Sequence, residues 1–213
     1  MTGNNDKIDE LIKEKPVKEL QERILADGQV IGNNILKVDA FLNHQIDPEF
    51  ILRIGGELAR RFQDEGVNKV LTVEASGIAV AMAAALALKA PVVFAKKKQA
   101  LTQEGDVYAA PVFSFTRKEH LEITVARDYL SAGDVVLIID DFLAHGEALN
   151  GLISLVEQAG AKLAGAGIVI EKRFQHGGDA IRKRGIRVET LAAIEKMKPG
   201  EVIFAADDAE IVK

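Results

Sequence analysis

The sequence predicts an α/β protein: a central parallel sheet flanked by helices, with an inserted antiparallel β arm. Three observations carry that prediction. Apolar runs without alternation, above all Val135-Val136-Leu137-Ile138-Ile139, suit strands buried on both faces. Such runs alternate with stretches of helical length, as in a parallel sheet whose crossovers are helices. Residues 107–115 and 121–126 are extended in pattern and joined by the polar turn Thr116-Arg117-Lys118-Glu119, which reads as a hairpin.

In chain order, residues 7–15 carry Ile8, Leu11 and Ile12 at helical spacing ahead of Pro16. A second helical pattern, through Val17, Leu20, Ile24 and Leu25, stops at Asp27-Gly28, a C-cap signal. Residues 30–41 read as a short extended segment and 48–65 as an amphipathic helix. A strand at 70–73, a helix at 78–88 and a strand at 92–95 precede the hairpin. Ser131-Ala132-Gly133-Asp134 then turns into a strand at 135–139. A helix at 149–159, a strand at 165–170, a short helix at 179–184 and a last strand at 188–194 complete the alternation. There is no repeat and no low-complexity linker.

Composition narrows the function classes. With 213 residues, 48% hydrophobic and 28% charged, the chain suits one soluble domain with a sizeable core. A net charge of −5 disfavours nucleic acid held by a generally basic surface. No cysteine is present, which excludes disulfides, thiolate metal sites and cysteine nucleophiles. The opening MTGNNDKIDELIKEK is too charged for a signal peptide, and the apolar runs are too short for a membrane span. A cytoplasmic enzyme without a membrane partner is expected.

The chemistry-bearing feature is the end of the 135–139 strand. A buried strand that ends in Asp140 and Asp141 must deliver those carboxylates to water, a cation or a ligand. The carboxyl ends of strands are also where open α/β sheets bind ligands. The loop Ala144-His145-Gly146-Glu147-Ala148 leads into a helix whose first N–H groups face an anion, with the dipole adding roughly 0.3–1 kcal/mol. Acids beside an anion pocket make a place for a phosphorylated sugar.

On these residues the chain resembles the type I phosphoribosyltransferases, in which a hydrophobic strand leads into an acidic pair and a phosphate-cradling loop. The resemblance runs from about Val17 to the C-terminal region in separated pieces: LKVDAFLNHQIDP at 36–48, ASGIAVA at 75–81, PVVFAKK at 91–97, IIDDFLAHGEA at 138–148 and IVIEKRFQ at 168–175. Only the fourth piece belongs to the whole superfamily; the first and last narrow the resemblance to the xanthine branch of the purine enzymes. It implies the type I phosphoribosyltransferase fold as a single domain at 17–213, with an N-terminal hood at about 30–47. Residues 1–16 are then an extension, a tag or an extra helix. The implied reaction transfers the 5-phosphoribosyl group of 5-phosphoribosyl-1-pyrophosphate (PRPP) to N9 of xanthine, giving xanthosine 5′-phosphate and pyrophosphate. Mg²⁺ would arrive with PRPP and not sit in a dedicated protein cage. A homodimer is implied as well.

The resemblance also assigns roles. Asp140 and Asp141 would meet the ribose hydroxyls, directly or through the metal. Ala144, His145, Gly146, Glu147 and Ala148 would cradle the 5-phosphate, each charge-assisted bond contributing about 1.5–3 kcal/mol. Ser76 and Gly77, in Glu74-Ala75-Ser76-Gly77, match the pyrophosphate loop, the alternative being a plain serine cap. Lys97, in the run Lys96-Lys97-Lys98 after the 92–95 strand, is the best single lysine for the pyrophosphate, though such runs also make solvated faces. Leu36, Phe41 and Asn43 in the hood, and Lys172 and Phe174 in IEKRFQ, would meet the purine; for Leu36, Phe41 and Phe174, core packing competes. Residues 99–105, with the arm, resemble a lid that excludes water from the oxocarbenium-like transition state.

The loop departs from the commonest family form, because its threonine hydroxyls are replaced by His145, Glu147 and Ala148. Ala144 stands where the hypoxanthine-guanine branch has an aspartate on the purine N7, which weakens that branch. Guanine, hypoxanthine or adenine remain alternative bases. A PRPP-sensing regulator would need a DNA-binding module, and about 35 residues before Leu36 are too few for a winged helix. A different α/β nucleotide binder would be marked by a Walker loop or GxGxxG, and the chain has neither clearly.

Overall fold

The computed structural model describes residues 16–98, 106–114 and 119–206. The expected extension helix at 7–15, the lid segment 99–105 and most of the arm's turn lie outside the described residues.

Helix α1 (Pro16–Asp27) starts with proline, whose missing N–H costs nothing at a first turn, and buries Val17, Leu20 and Ile24. The expected extended segment at 30–41 is instead a hairpin of β1 (Gln29–Ile31) and β2 (Ile35–Lys37), followed by a π-helical turn at Asp39–Asn43. Gly32, at φ 59°, and two asparagines make the reversal that the apolar pattern hid. Helix α2 (Pro48–Arg61) is capped by Asp47, whose side chain accepts from Phe50 N–H at 3.1 Å. It ends earlier than expected, and a 3₁₀ turn covers Gln63–Glu65.

Then come β3 (Lys69–Val73), α3 (Gly77–Leu88), β4 (Val92–Lys98), β5 (Val107–Ser114) and β6 (Glu119–Ala126). They are followed by β7 (Val135–Leu143), α4 (Glu147–Gln158), β8 (Lys162–Lys172), α5 (Gly177–Lys183), β9 (Val188–Lys198) and β10 (Glu201–Phe204). Eight strands form one sheet in the order β10-β9-β8-β7-β3-β4-β6-β5. Its five central strands are parallel; β10 and the β5–β6 arm add antiparallel edges. Several boundaries differ from expectation because tertiary pairing extends the strands, among them those of β4, β7 and β9. β4 continues through its lysines because Lys96 and Lys97 pair with Thr124 and Ile123 of the arm. β7 carries its acids inside the strand because Asp140 and Phe142 pair with Ile168 and Ile170. β9 is not last, since the chain turns at Gly200 and returns as β10.

Two apolar cores fill the sheet's faces. One joins α1, α2, α3 and the hood through Leu20, Phe41, Phe50, Leu58 and Val80. The other seats α4 and the arm through Leu149, Leu152, Ile153, Val112 and Ile123. At about 1.5–3 kcal/mol for each large buried side chain, either face outweighs any single polar contact in holding the sheet. The strand order reverses direction between β3 and β7. From β3 the chain builds outward to β4 and the arm, then returns to the other side as β7, β8 and β9. That crevice is where the sheet's topology opens a ligand site.

Candidate active site

Pairing between β3 and β7 ends at Leu71 with Ile138. Beyond it the strands part, and the predicted residues gather around the gap. Asp140 and Asp141 are 4% and 6% exposed, and Asp141 N–H donates to Asp140 Oδ1 at 3.0 Å. Burial, together with the adjacent Asp141 carboxylate, pushes the Asp140 carboxyl well above the usual range; the Lys97 charge opposes that rise. A positive or hydroxyl-bearing ligand would supply what this buried acid lacks.

Across the gap, Glu74-Ala75-Ser76-Gly77 leads from β3 into α3. A Cβ on Gly77 would collide with Thr72 Oγ1 and lie 3.0 Å from Asp140 Oδ1, so only glycine lets the helix start this close to the acid. Ser76 makes no side-chain cap bond, which leaves the helix start to backbone donors alone. Lys97 reaches the same place: its N–H donates to Glu74 Oε1 at 2.6 Å, tying the arm's root to this loop.

The loop after β7 forms the third wall. Gly146 stands at φ 87° as N-cap of α4 and has no side chain to occupy the cap. The first helical bond runs from Asn150 N–H to Gly146 O at 2.8 Å, so Glu147, Ala148 and Leu149 keep N–H groups without intrahelical partners. Ala144 O accepts from Gly177 N–H at 3.1 Å, and a Cβ on Gly177 would meet Gly146 N at 2.6 Å, so α5 butts against this loop. His145 is exposed.

The expected base-contacting residues separate. Lys172 lies at the end of β8, half-buried, with Nζ 5.2 Å from the Phe142 ring and donating to the Asn34 backbone carbonyl at 2.7 Å. Burial lowers its pKa, and Asp141 partly offsets this. Asn34 thus brings the hood's hairpin over the carboxyl ends of β8 and β9, beside a cavity of about 320 Å³ lined by Asn33, Asn34, Phe174 and Met197. Asn43 is exposed. Leu36 and Phe41 are buried; Phe41 meets Phe50 edge-on at 5.6 Å, and the Arg23 guanidinium sits 4.3 Å over Phe50. Packing claims both of these residues. Arg23 also pairs with Asp47 at 2.8 Å, which ties the hood's end and the start of α2 to α1.

Three features escaped the sequence. Asn34 acts through its backbone, which residue type does not announce. Thr72 is a fully buried hydroxyl beside Asp140 and looked like one more strand residue. Glu171, 1% exposed, accepts both arms of Arg182 at 2.7 Å and the Thr190 hydroxyl at 2.8 Å. The acid in IEKRFQ could have signalled that buried pair. Among the described residues, no three His, Cys, Asp or Glu side chains group as metal ligands, and no helix is long and apolar enough to cross a membrane.

Residues 43–190 match the family described as phosphoribosyl transferase domain. The chain is 67% identical over 189 residues to a xanthine phosphoribosyltransferase of Heliobacterium modesticaldum, covering 89% of this chain and all of that one. It is 52% identical over 197 residues to the xanthine phosphoribosyltransferase of Bacillus cereus, covering 92% of this chain and all of that protein. Among solved structures, the adenine phosphoribosyltransferase of Rhodothermus marinus superposes with a TM-score of 0.67 at 24% identity, covering 84% of this chain and 98% of that one. The Giardia lamblia enzyme with 9-deazaadenine gives 0.69 at 22%, over 83% and 97%. At that identity the two structures speak for the fold.

Proposed function

The chain belongs to the phosphoribosyltransferase family, and from that premise we propose that it transfers the 5-phosphoribosyl group of PRPP to N9 of xanthine in purine salvage. The products are xanthosine 5′-phosphate and pyrophosphate. One observation carries the reading: a buried acidic pair and the starts of α3 and α4 meet at the sheet's crevice, with Lys172 beyond them.

In this reading the N–H groups of Glu147, Ala148 and Leu149 take the 5-phosphate, with Ala144 to Ala148 wrapped around it. Ser76 and Gly77 offer their backbone to the pyrophosphate, and the Lys97 charge offsets its negative charge. Asp140 and Asp141 orient the ribose hydroxyls and favour positive charge as C1 develops oxocarbenium character. Mg²⁺ fits as part of the PRPP complex: two hard carboxylates are enough to meet a cation that keeps its phosphate and water ligands. Lys172 can only donate, so it suits the oxo group of a 6-oxopurine and leaves adenine's amino group unmatched. Asn43 and Phe174 complete the base's surroundings, while Leu36 and Phe41 set the hood from within the core.

A homodimer fits Met82 and Leu86, four apart on α3 and 60% and 55% exposed. A cytoplasmic setting fits a polyanionic substrate that does not cross a bilayer unaided. The test is initial rates of nucleotide and pyrophosphate formation with xanthine, guanine, hypoxanthine and adenine under saturating PRPP and Mg²⁺. Xanthine should be fastest. Faster turnover of hypoxanthine or adenine would overturn the base assignment, and no pyrophosphate from any purine would overturn the activity.

A further inference from the structure

The gap between β3 and β7 holds a polar group that the reading above leaves unused. Thr72 is 0% exposed, and its Oγ1 has no hydrogen-bond partner among the described residues. It is the first residue of β3 beyond the last pair with β7, where the two strands begin to part. On its other side it stays in register with Phe94 of β4, so its backbone is held while its side chain is not. Buried hydroxyls are nearly always paired, because leaving one dry and alone is unfavourable. Such a group at a ligand site is explained most simply by a partner that moves into place.

The neighbouring acid is that partner. Thr72 Oγ1 and Asp140 Oδ1 both flank the missing Cβ of Gly77. A carboxylate oxygen accepts along two lone-pair directions. Asp141 N–H occupies one direction of Oδ1. A second direction would accept the Thr72 hydroxyl if the two groups closed on one another.

We propose that Thr72 is a positioning residue: its hydroxyl donates to Asp140 Oδ1 once Mg·PRPP fills the crevice, leaving Oδ2 to meet the ribose. The two donors, Asp141 N–H and the Thr72 hydroxyl, then fix both the direction and the tilt of the carboxylate. The inference rests on the phosphoribosyl-transfer reading. It adds that the acid is aimed from beneath by β3 and not by the loop it faces.

The test compares Thr72→Val and Thr72→Ser with the unsubstituted enzyme. Valine keeps the shape and removes an unpaired hydroxyl, so the melting temperature should stay equal or rise. Turnover should nonetheless fall about tenfold in kcat, with KM for xanthine unchanged, and serine should restore most of it. Wild-type kcat in Thr72→Val would overturn the proposal. So would a fall in kcat matched by a lower melting temperature and not relieved by serine. Calorimetric titration with Mg·PRPP alone separates this claim from the reading beneath it. If the unsubstituted enzyme turns over no purine, the activity reading fails; weaker Mg·PRPP binding by Thr72→Val then still supports Thr72, and equal binding overturns it.

Discussion

The two halves of the site are built by different means. The proposed PRPP half hangs from the middle of the sheet: Asp140 and Asp141 sit in β7, paired to β8 on one side and facing the gap to β3 on the other, and the helix starts that follow β3 and β7 lie beside them. The base half is assembled at the rim. The turn of a short hairpin meets Lys172 through Asn34 O, and the Arg23–Asp47 pair ties the hood's far end to α1. The difference teaches where each kind of specificity resides. On the proposed reading, charge placement for the transferred group would depend on the sheet's centre, while choice of base would depend on pieces appended at its rim.

Four perturbations would break or sharpen that division. The largest effect belongs to Asp140→Asn and Asp141→Asn. Each should lower kcat by two to three orders of magnitude, roughly 3–4 kcal/mol, with circular dichroism unchanged. Equal kcat would detach the acids from the chemistry.

Arg182→Ala comes next, because it strands the Glu171 carboxylate inside the protein. Urea denaturation should show a loss of about 3 kcal/mol. KM for PRPP should rise as well, since α5 braces the phosphate loop through Gly177 N–H and Ala144 O. An unchanged KM would show that the loop needs no brace.

Lys172→Met should raise KM for xanthine about tenfold or more, the worth of a charged hydrogen bond, and leave KM for PRPP within a factor of two. Parallel changes in both would mean that the halves are coupled through Asp141.

The smallest effect is on the hood's root. Asp47→Ala removes a helix cap and the Arg23 pair, for about 1 kcal/mol by thermal melting. Acid should act in the same direction. The Asp47 carboxyl is held below the usual carboxylate range by Phe50 N–H and Arg23. For Asp134, burial would raise the pKa, but Lys69 and Ser131 outweigh it. Arg60 and Arg61 likewise outweigh burial at Glu57. Groups with lowered folded-state pKa values stabilise fully above their unfolded values and lose that contribution as pH falls through the folded ones. These three pairings should therefore lower the melting temperature below about pH 4, whereas the raised Asp140 carboxyl acts in the opposite sense, adding stability as pH falls from neutrality towards that range. A Tm that rose as the pH fell below about 4 would contradict the pairings.

The unequal legibility of the halves follows the same line. The run 135–139 with Asp140 and Asp141, the loop through Ala148, and Gly77 were readable because each is a short local pattern. A buried strand, an acid and a glycine at a helix start need no distant partner to be recognised. The lysine run misled at its boundary: nothing near Lys96 and Lys97 shows that the arm pairs with them and extends β4. Phe41 reads equally as ligand contact or core residue until Phe50 and Arg23 are placed around it.

By itself, the sequence determined the alternation of strands and helices, the position of the acidic pair and of the glycine-bearing loop after it, because periodicity, charge and backbone freedom act over a few residues. Only the tertiary structure decided that β3 and β7 part beyond Leu71, that Thr72 lies buried near Asp140, and that Asn34's carbonyl rests on Lys172. Those facts depend on which strands become neighbours and where their pairing stops. Long-range packing sets that, and no local pattern encodes it.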